Sequence, residues 1–100
     1  MQLSIPERIN LLQIFPEQGN FATLKIVRKL RESLGLDEDE IKQINFRQEG
    51  QRFLWDSDPM KDVELGEKAT DIIIESLMRL DKDNKLVQDQ FSLYEKFCLN

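Results

Sequence analysis

The sequence predicts a mostly helical α+β domain, and three observations carry that expectation. One hundred residues suffice for a single hydrophobic core without a metal or a disulfide. Apolar residues recur at helical spacing in successive segments, and the longest runs uninterrupted from Gly66 to Leu80. Between these segments, residues 45–55 and 61–65 change to the alternation that marks strands.

The first helix has a start signal in Ser4 and Glu7, three residues apart as in a capping box, with Pro6 tolerated in the first turn. Ile5, Ile9, Leu12 and Phe15 give it an apolar face, and Pro16 stops it. Glu17 to Asn20 forms a turn, after which Phe21 starts a very short extended piece. A second helix spans Thr23 to Leu34, with Ile26, Val27, Leu30 and Leu34 on one side and Lys25, Arg28 and Lys29 on the other. The run Asp37-Glu38-Asp39-Glu40 opens a third helix through Ile44, its acids suited to the positive end of the helix dipole. It lacks the glycine and glutamate positions of a calcium loop.

Phe46 to Gln48 and Gln51 to Trp55 flank Glu49-Gly50, read as a two-residue hairpin turn. In that register Arg47 faces Arg52 and Phe46 faces Phe53, and Phe46, Phe53 and Trp55 line the buried face. Two arginines side by side need an anionic ligand or a nearby acid. A third strand over Lys61–Leu65, in a meander, would bring Asp62 or Glu64 beside Arg52. In the long helix, Ala69, Ile73, Leu77 and Leu80 share a stripe, while Ile74 and Met78 sit well round from it and require a second layer. The last helix, Asp89 to Leu99, offers Phe91, Tyr94 and Cys98 along one side for that purpose, with Phe97 close by.

This order is that of a winged-helix-like three-helix core with a small antiparallel hairpin or meander and two C-terminal helices. The chain reads as a single domain over 1–100, winged-helix-like through residue 65 and helical from 66. In such a fold the third helix would enter the major groove, and its acidic start disfavours that. A nucleic-acid surface would need Lys25, Arg28 and Lys29 together with Arg47 and Arg52.

Several chemistries lack their residues. Without histidine, the commonest general base and metal ligand is missing, as are Ser-His and Cys-His pairs. Cys98 is the only cysteine, read as a small packing residue. Phosphate-cradling glycine loops do not occur. The formal net charge of -5 weighs against nucleic acid and membrane surfaces as partners. No signal-peptide pattern or membrane-length apolar run is present, so the expected location is cytoplasmic. The expectation is a non-enzyme with no cofactor.

Ile5-Pro6-Glu7-Arg8, Gly19-Asn20-Phe21, Leu24-Lys25-Ile26, Gly66-Glu67-Lys68-Ala69 and Leu93-Tyr94-Glu95-Lys96-Phe97 resemble small, functionally uncharacterised proteins of tailed bacteriophages and prophages. The resemblance spans most of the chain and carries over no site residues. It implies a setting in the cytoplasm of an infected bacterium, where small acidic phage proteins often occupy a host or defence protein. The leading expectation is therefore a non-enzymatic protein-interaction module that binds a host or defence protein, with homodimerisation as a further option. Its candidate interface is Ile74 and Met78, or the acids Asp37, Glu38, Asp39 and Glu40, which could imitate nucleic-acid phosphates. The alternatives are a winged-helix DNA-binding regulator and a small structural or assembly protein of a phage.

Overall fold

A computed structural model describes residues 1–99, and over these the chain is a mostly helical α+β structure with two small antiparallel sheets. Strand β1 (Gln2–Leu3) precedes helices α1 (Ile5–Ile14), α2 (Phe21–Leu34) and α3 (Glu38–Ile44). Strands β2 (Arg47–Glu49) and β3 (Arg52–Leu54) form a hairpin, and β4 (Lys61–Asp62) pairs with β1. Helix α4 (Glu67–Lys82), a 3-10 turn (Gln88–Gln90) and α5 (Phe91–Cys98) complete the chain. The core joins Leu11 and Phe15 of α1 to Val27, Leu30 and Leu34 of α2, Ile73 and Leu77 of α4, and Leu93 and Phe97 of α5. Leu3 and Val63 close it from the β1–β4 side.

Helix α1 buries two adjacent charged residues, and each ties it to a different part of the fold. The Arg8 side chain is 1% exposed. Its Nε donates to the Leu34 carbonyl at 3.0 Å, and one terminal nitrogen donates to the Gly35 carbonyl at 2.7 Å. Both terminal nitrogens also donate to Glu40, at 2.6 and 3.1 Å. One guanidinium thus satisfies carbonyls at the end of α2, where the helix dipole is negative, and grips the first turn of α3 with a two-pronged ionic contact. Glu40 is held in turn by the α3 capping box, in which Asp37 accepts from the Glu40 N–H at 2.8 Å.

Glu7 works in the opposite direction. It closes the α1 capping box by accepting from the Ser4 N–H at 2.9 Å. It also accepts from Lys96 Nζ at 2.7 Å and from the Ser92 hydroxyl at 3.0 Å, both on α5. Burial alone would push the Glu7 carboxyl up, but the bonds from Lys96, the Ser4 backbone and Ser92 together hold it below the usual carboxylate range. Among the described residues, no buried side-chain nitrogen or oxygen lacks a hydrogen-bond partner.

Several expected details are corrected. Phe21 begins α2 rather than an extended piece, because Asn20 caps that helix by accepting from the Thr23 N–H at 2.8 Å. The hairpin loop is Gly50-Gln51 and not Glu49-Gly50: Arg47 pairs with Leu54, Gln48 with Phe53 and Glu49 with Arg52. Gly50 takes φ 64°, which glycine adopts without penalty at the first loop position. The meander does not form, because β4 pairs with β1 rather than with β3. Asp62 accordingly meets the Met1 ammonium at 2.9 Å rather than Arg52. Finally, α5 turns Leu93 and Phe97 into the core in place of Phe91, which is 57% exposed.

Replacing Arg8 by Met should cost about 2–4 kcal/mol, measured as a lowered urea midpoint, because two helix-end carbonyls and Glu40 lose a buried partner. The Arg8 contact, opposed by burial and aided by the Asp37 N–H, lowers the Glu40 carboxyl from 4.5 to about 2. Its folded pKa lies below its unfolded one, so the stabilisation is complete above the unfolded value and is lost as pH falls toward 2. Acid unfolding should therefore be steeper in the wild-type protein than in Glu40→Gln across that window, as followed by circular dichroism.

Candidate functional site

The hairpin separates its side chains by alternation. Phe46, Phe53 and Trp55 fall on one face, and Arg47, Glu49, Arg52 and Leu54 on the other. The shifted register moves each strand residue's partner by two positions, so the faces expected from sequence are kept while the neighbours change. The three aromatics stack, with Phe46 5.5 Å from Phe53 and 5.9 Å from Trp55 between ring centroids. This face is not buried. Phe46 and Trp55 are half-buried, and Phe53 is 45% exposed.

The face opens onto a cleft of about 320 Å³ beside α1. Phe53 and Trp55 form one wall, and Pro6, Ile9, Asn10 and Gln13 form the other. Asp89, from the 3-10 turn, supplies the one ionisable residue in the lining. Asn10 donates its side-chain N–H to the Pro6 carbonyl at 2.9 Å, which leaves its amide oxygen as an acceptor. The hairpin is anchored at its base. The Phe46 N–H donates to the Ile41 carbonyl at 3.0 Å, the Asp56 N–H to the Ile44 carbonyl at 2.8 Å, and the Asn45 side chain to Asp56 at 2.9 Å. Asn45 adopts φ 53° at the end of α3, the left-handed turn that aims the chain into β2.

The candidate residues read from sequence fall in three places. Arg47 is neutralised within the hairpin, and neither its carboxylate partners nor the ladder neighbour of Arg52 is Asp62 or Glu64. Arg47 lies 3.1 Å from Asp56 and 3.8 Å from Glu49, and Arg52 is opposite Glu49 in the ladder. Asn45 and Arg47, through their hydrogen bonds, hold the Asp56 carboxyl below the usual range. Lys25, Arg28 and Lys29 are exposed on α2. They share that surface with Phe21, 82% exposed, and Leu24, which follow at helical spacing.

On α4, Ile74 and Met78 part company. Ile74 is half-buried and packs against the core, while Met78 is 53% exposed among Glu75, Arg79 and Lys82. Of the four acids at the start of α3, Asp37 and Glu40 are engaged in the capping box, and Glu40 also in the Arg8 contact. Glu38 and Asp39 point to solvent. Cys98 is half-buried against the core, and burial, then the Asp81 charge, push its thiol pKa up. A thiol so shifted is a weak nucleophile at neutral pH. Among the described residues, no three His, Cys, Asp or Glu side chains converge in a way that could hold a metal ion, and no helix is long and apolar enough to cross a membrane.

The aromatic wall was legible as a strand face. The opposite wall was not, because Pro6, Ile9, Asn10 and Gln13 read as parts of an ordinary helix, and Asp89 as the start of another. No family model, curated protein or solved structure matches the chain.

Two substitutions on α4 should separate core from surface. Ile74→Glu is expected to lower stability by about 2 kcal/mol or more, because it forces a charge against the core. Met78→Glu should stay within about 0.5 kcal/mol. Phe53→Ser should cost about 1 kcal/mol or less, losing ring stacking at a half-exposed site. Chemical denaturation of the three variants measures all of these.

Proposed function

We propose that the protein is a non-catalytic protein-binding module that docks on another protein through the hairpin cleft. The observation that carries this reading is the stacked Phe46–Phe53–Trp55 face, left half-open against α1 although the buried polar groups of the body are satisfied. Exposed aromatics grouped beside a recess are the usual anchors of protein interfaces. The absence of histidine and the raised thiol of Cys98 support a non-enzymatic role. The likeness to small phage proteins supports a phage-encoded module whose target is a host or defence protein in the bacterial cytoplasm. Met78 and the exposed Glu38 and Asp39 are secondary surfaces for the same role or for homodimerisation.

A second reading rests on the exposed Lys25, Arg28 and Lys29 of α2. Three helices followed by a hairpin support a winged-helix-like body, and a duplex-binding regulator would use this basic face. Two observations weigh against it. Arg47 is offset by two carboxylates within 4 Å, and Phe21 and Leu24 interrupt the basic face with apolar surface better suited to protein than to phosphate.

Affinity capture from bacterial lysate, with the recovered species sized by light scattering, tests these readings. The binding-module reading predicts a discrete complex with one protein partner that is present with the wild-type chain and absent with Phe53→Ser. Recovery of nucleic acid at low salt, lost when Arg28 and Lys29 are neutralised, would favour the regulator. A large homo-oligomer would point to a structural role in a phage particle.

A further inference from the structure

We propose that the hairpin cleft is a recognition site for an arginine side chain presented by a protein partner. The inference rests on the binding-module reading and supplies the chemistry of what is bound. Three features of the lining select a planar cation.

The aromatic wall comes first. Phe53 and Trp55 line the recess, and the negative face of an aromatic ring attracts a cation held within about 6 Å of its centre. The same chemistry already operates inside this fold, where the Arg31 guanidinium lies 5.7 Å from the Phe15 ring centroid. Charge comes second. Asp89 is the only ionisable residue in the lining, and among the described residues no cationic group lies within salt-bridge distance of it. An aromatic platform built for nucleic-acid bases would sit in a positively charged groove. This one carries a carboxylate, in a chain of net charge -5.

Hydrogen-bonding capacity comes third. Asn10 keeps an amide oxygen free of the Pro6 carbonyl contact, and Gln13 adds a second amide on the same wall. A guanidinium has five N–H donors in one plane, so it can stack on the rings while donating to a carboxylate and to amide oxygens at its edge. An ammonium offers a point charge without that plane. At about 320 Å³ the cleft lies at the small end of ligand pockets, the size for one long side chain rather than for a folded segment.

Trp55 is the only tryptophan, so its fluorescence reports directly on the cleft. The test titrates the full chain with the blocked peptide acetyl-Gly-Arg-Gly-amide, and in parallel with its lysine and citrulline counterparts. Citrulline keeps the shape of arginine and loses the charge. The proposal expects a saturable change in Trp55 emission with the arginine peptide, at least fivefold weaker with lysine and absent with citrulline. Asp89→Asn, a near-isosteric change at an exposed position, should weaken the arginine response at least fivefold while leaving the helical circular dichroism unchanged. Equal responses to arginine and citrulline, no saturable response, or an Asp89→Asn variant that binds as well as wild type would each overturn the proposal. So would a shift in Trp55 emission that depends on protein concentration without peptide, which would assign the cleft to a second copy of the chain. Failure here is distinct from failure of the binding-module reading. If a protein partner is still captured in a Phe53-dependent way, the module reading stands and only the arginine assignment falls.

Discussion

The Arg8 guanidinium is the contact on which the arrangement of the helices depends. A buried cation in a 100-residue domain has a severe desolvation cost unless its donors are used. Here they are used on groups that themselves needed partners. The Leu34 and Gly35 carbonyls lie where α2 ends, and Glu40 lies where α3 begins. Three chain segments are therefore fixed to one planar group. Gly35 permits the turn between them; a Cβ at that position would come within 3.0 Å of the Arg31 carbonyl. Lys61, 3.7 Å from Glu40, extends the cluster to β4 and thus to its partner β1, the strand that precedes α1.

Glu7, the preceding residue, binds α5 through Ser92 and Lys96, so α1 is held from two sides by adjacent side chains of opposite charge. Lys96 also reaches the Gln2 carbonyl at 2.9 Å, returning the end of the fold to its beginning. The polar face of α1 thereby becomes structural, while its remaining exposed shoulder forms a wall of the cleft. The hairpin has no equivalent support. It is joined to the body at its base through Asn45, Phe46 and Asp56, and its aromatic face leans over a recess rather than into the core. A rigid body with a weakly supported aromatic finger is a sound design for docking, since partner contacts can supply the packing the finger lacks.

Local spacing made much of this fold legible. The Ser4–Glu7 capping box, the Ile73–Leu77 stripe and the Val27, Leu30 and Leu34 face were all readable, because each depends on residues within one or two helical turns. The sides of the hairpin were readable for the same reason, whereas its register was not. Glu49-Gly50 and Gly50-Gln51 differ only in which loop position takes the positive φ, and Gly50 settles that by coming first. The β1–β4 pair joins two-residue strands about 60 positions apart, too short and too distant for any periodic signal. Arg8 was hidden for a more general reason: a charged residue on a helix reads as solvated surface, and its partners are mostly backbone carbonyls of another helix, which leave no mark in the sequence. The acidic start of α3 looked like one patch, but its first and last members, Asp37 and Glu40, form the capping box, while Glu38 and Asp39 are exposed outside it.

Native-state hydrogen exchange, read residue by residue, tests the central claim most directly. If the ionic contacts of Glu7 and Arg8 fix the body and leave the hairpin to open alone, amides of α1, α2 and α4 should exchange only through global unfolding. Hairpin amides over residues 47–54 should then exchange through a local opening of distinctly lower free energy. Hairpin protection equal to that of α1 would contradict the account, because it would mean that the aromatic face is closed onto the body and that no cleft is held ready for a partner.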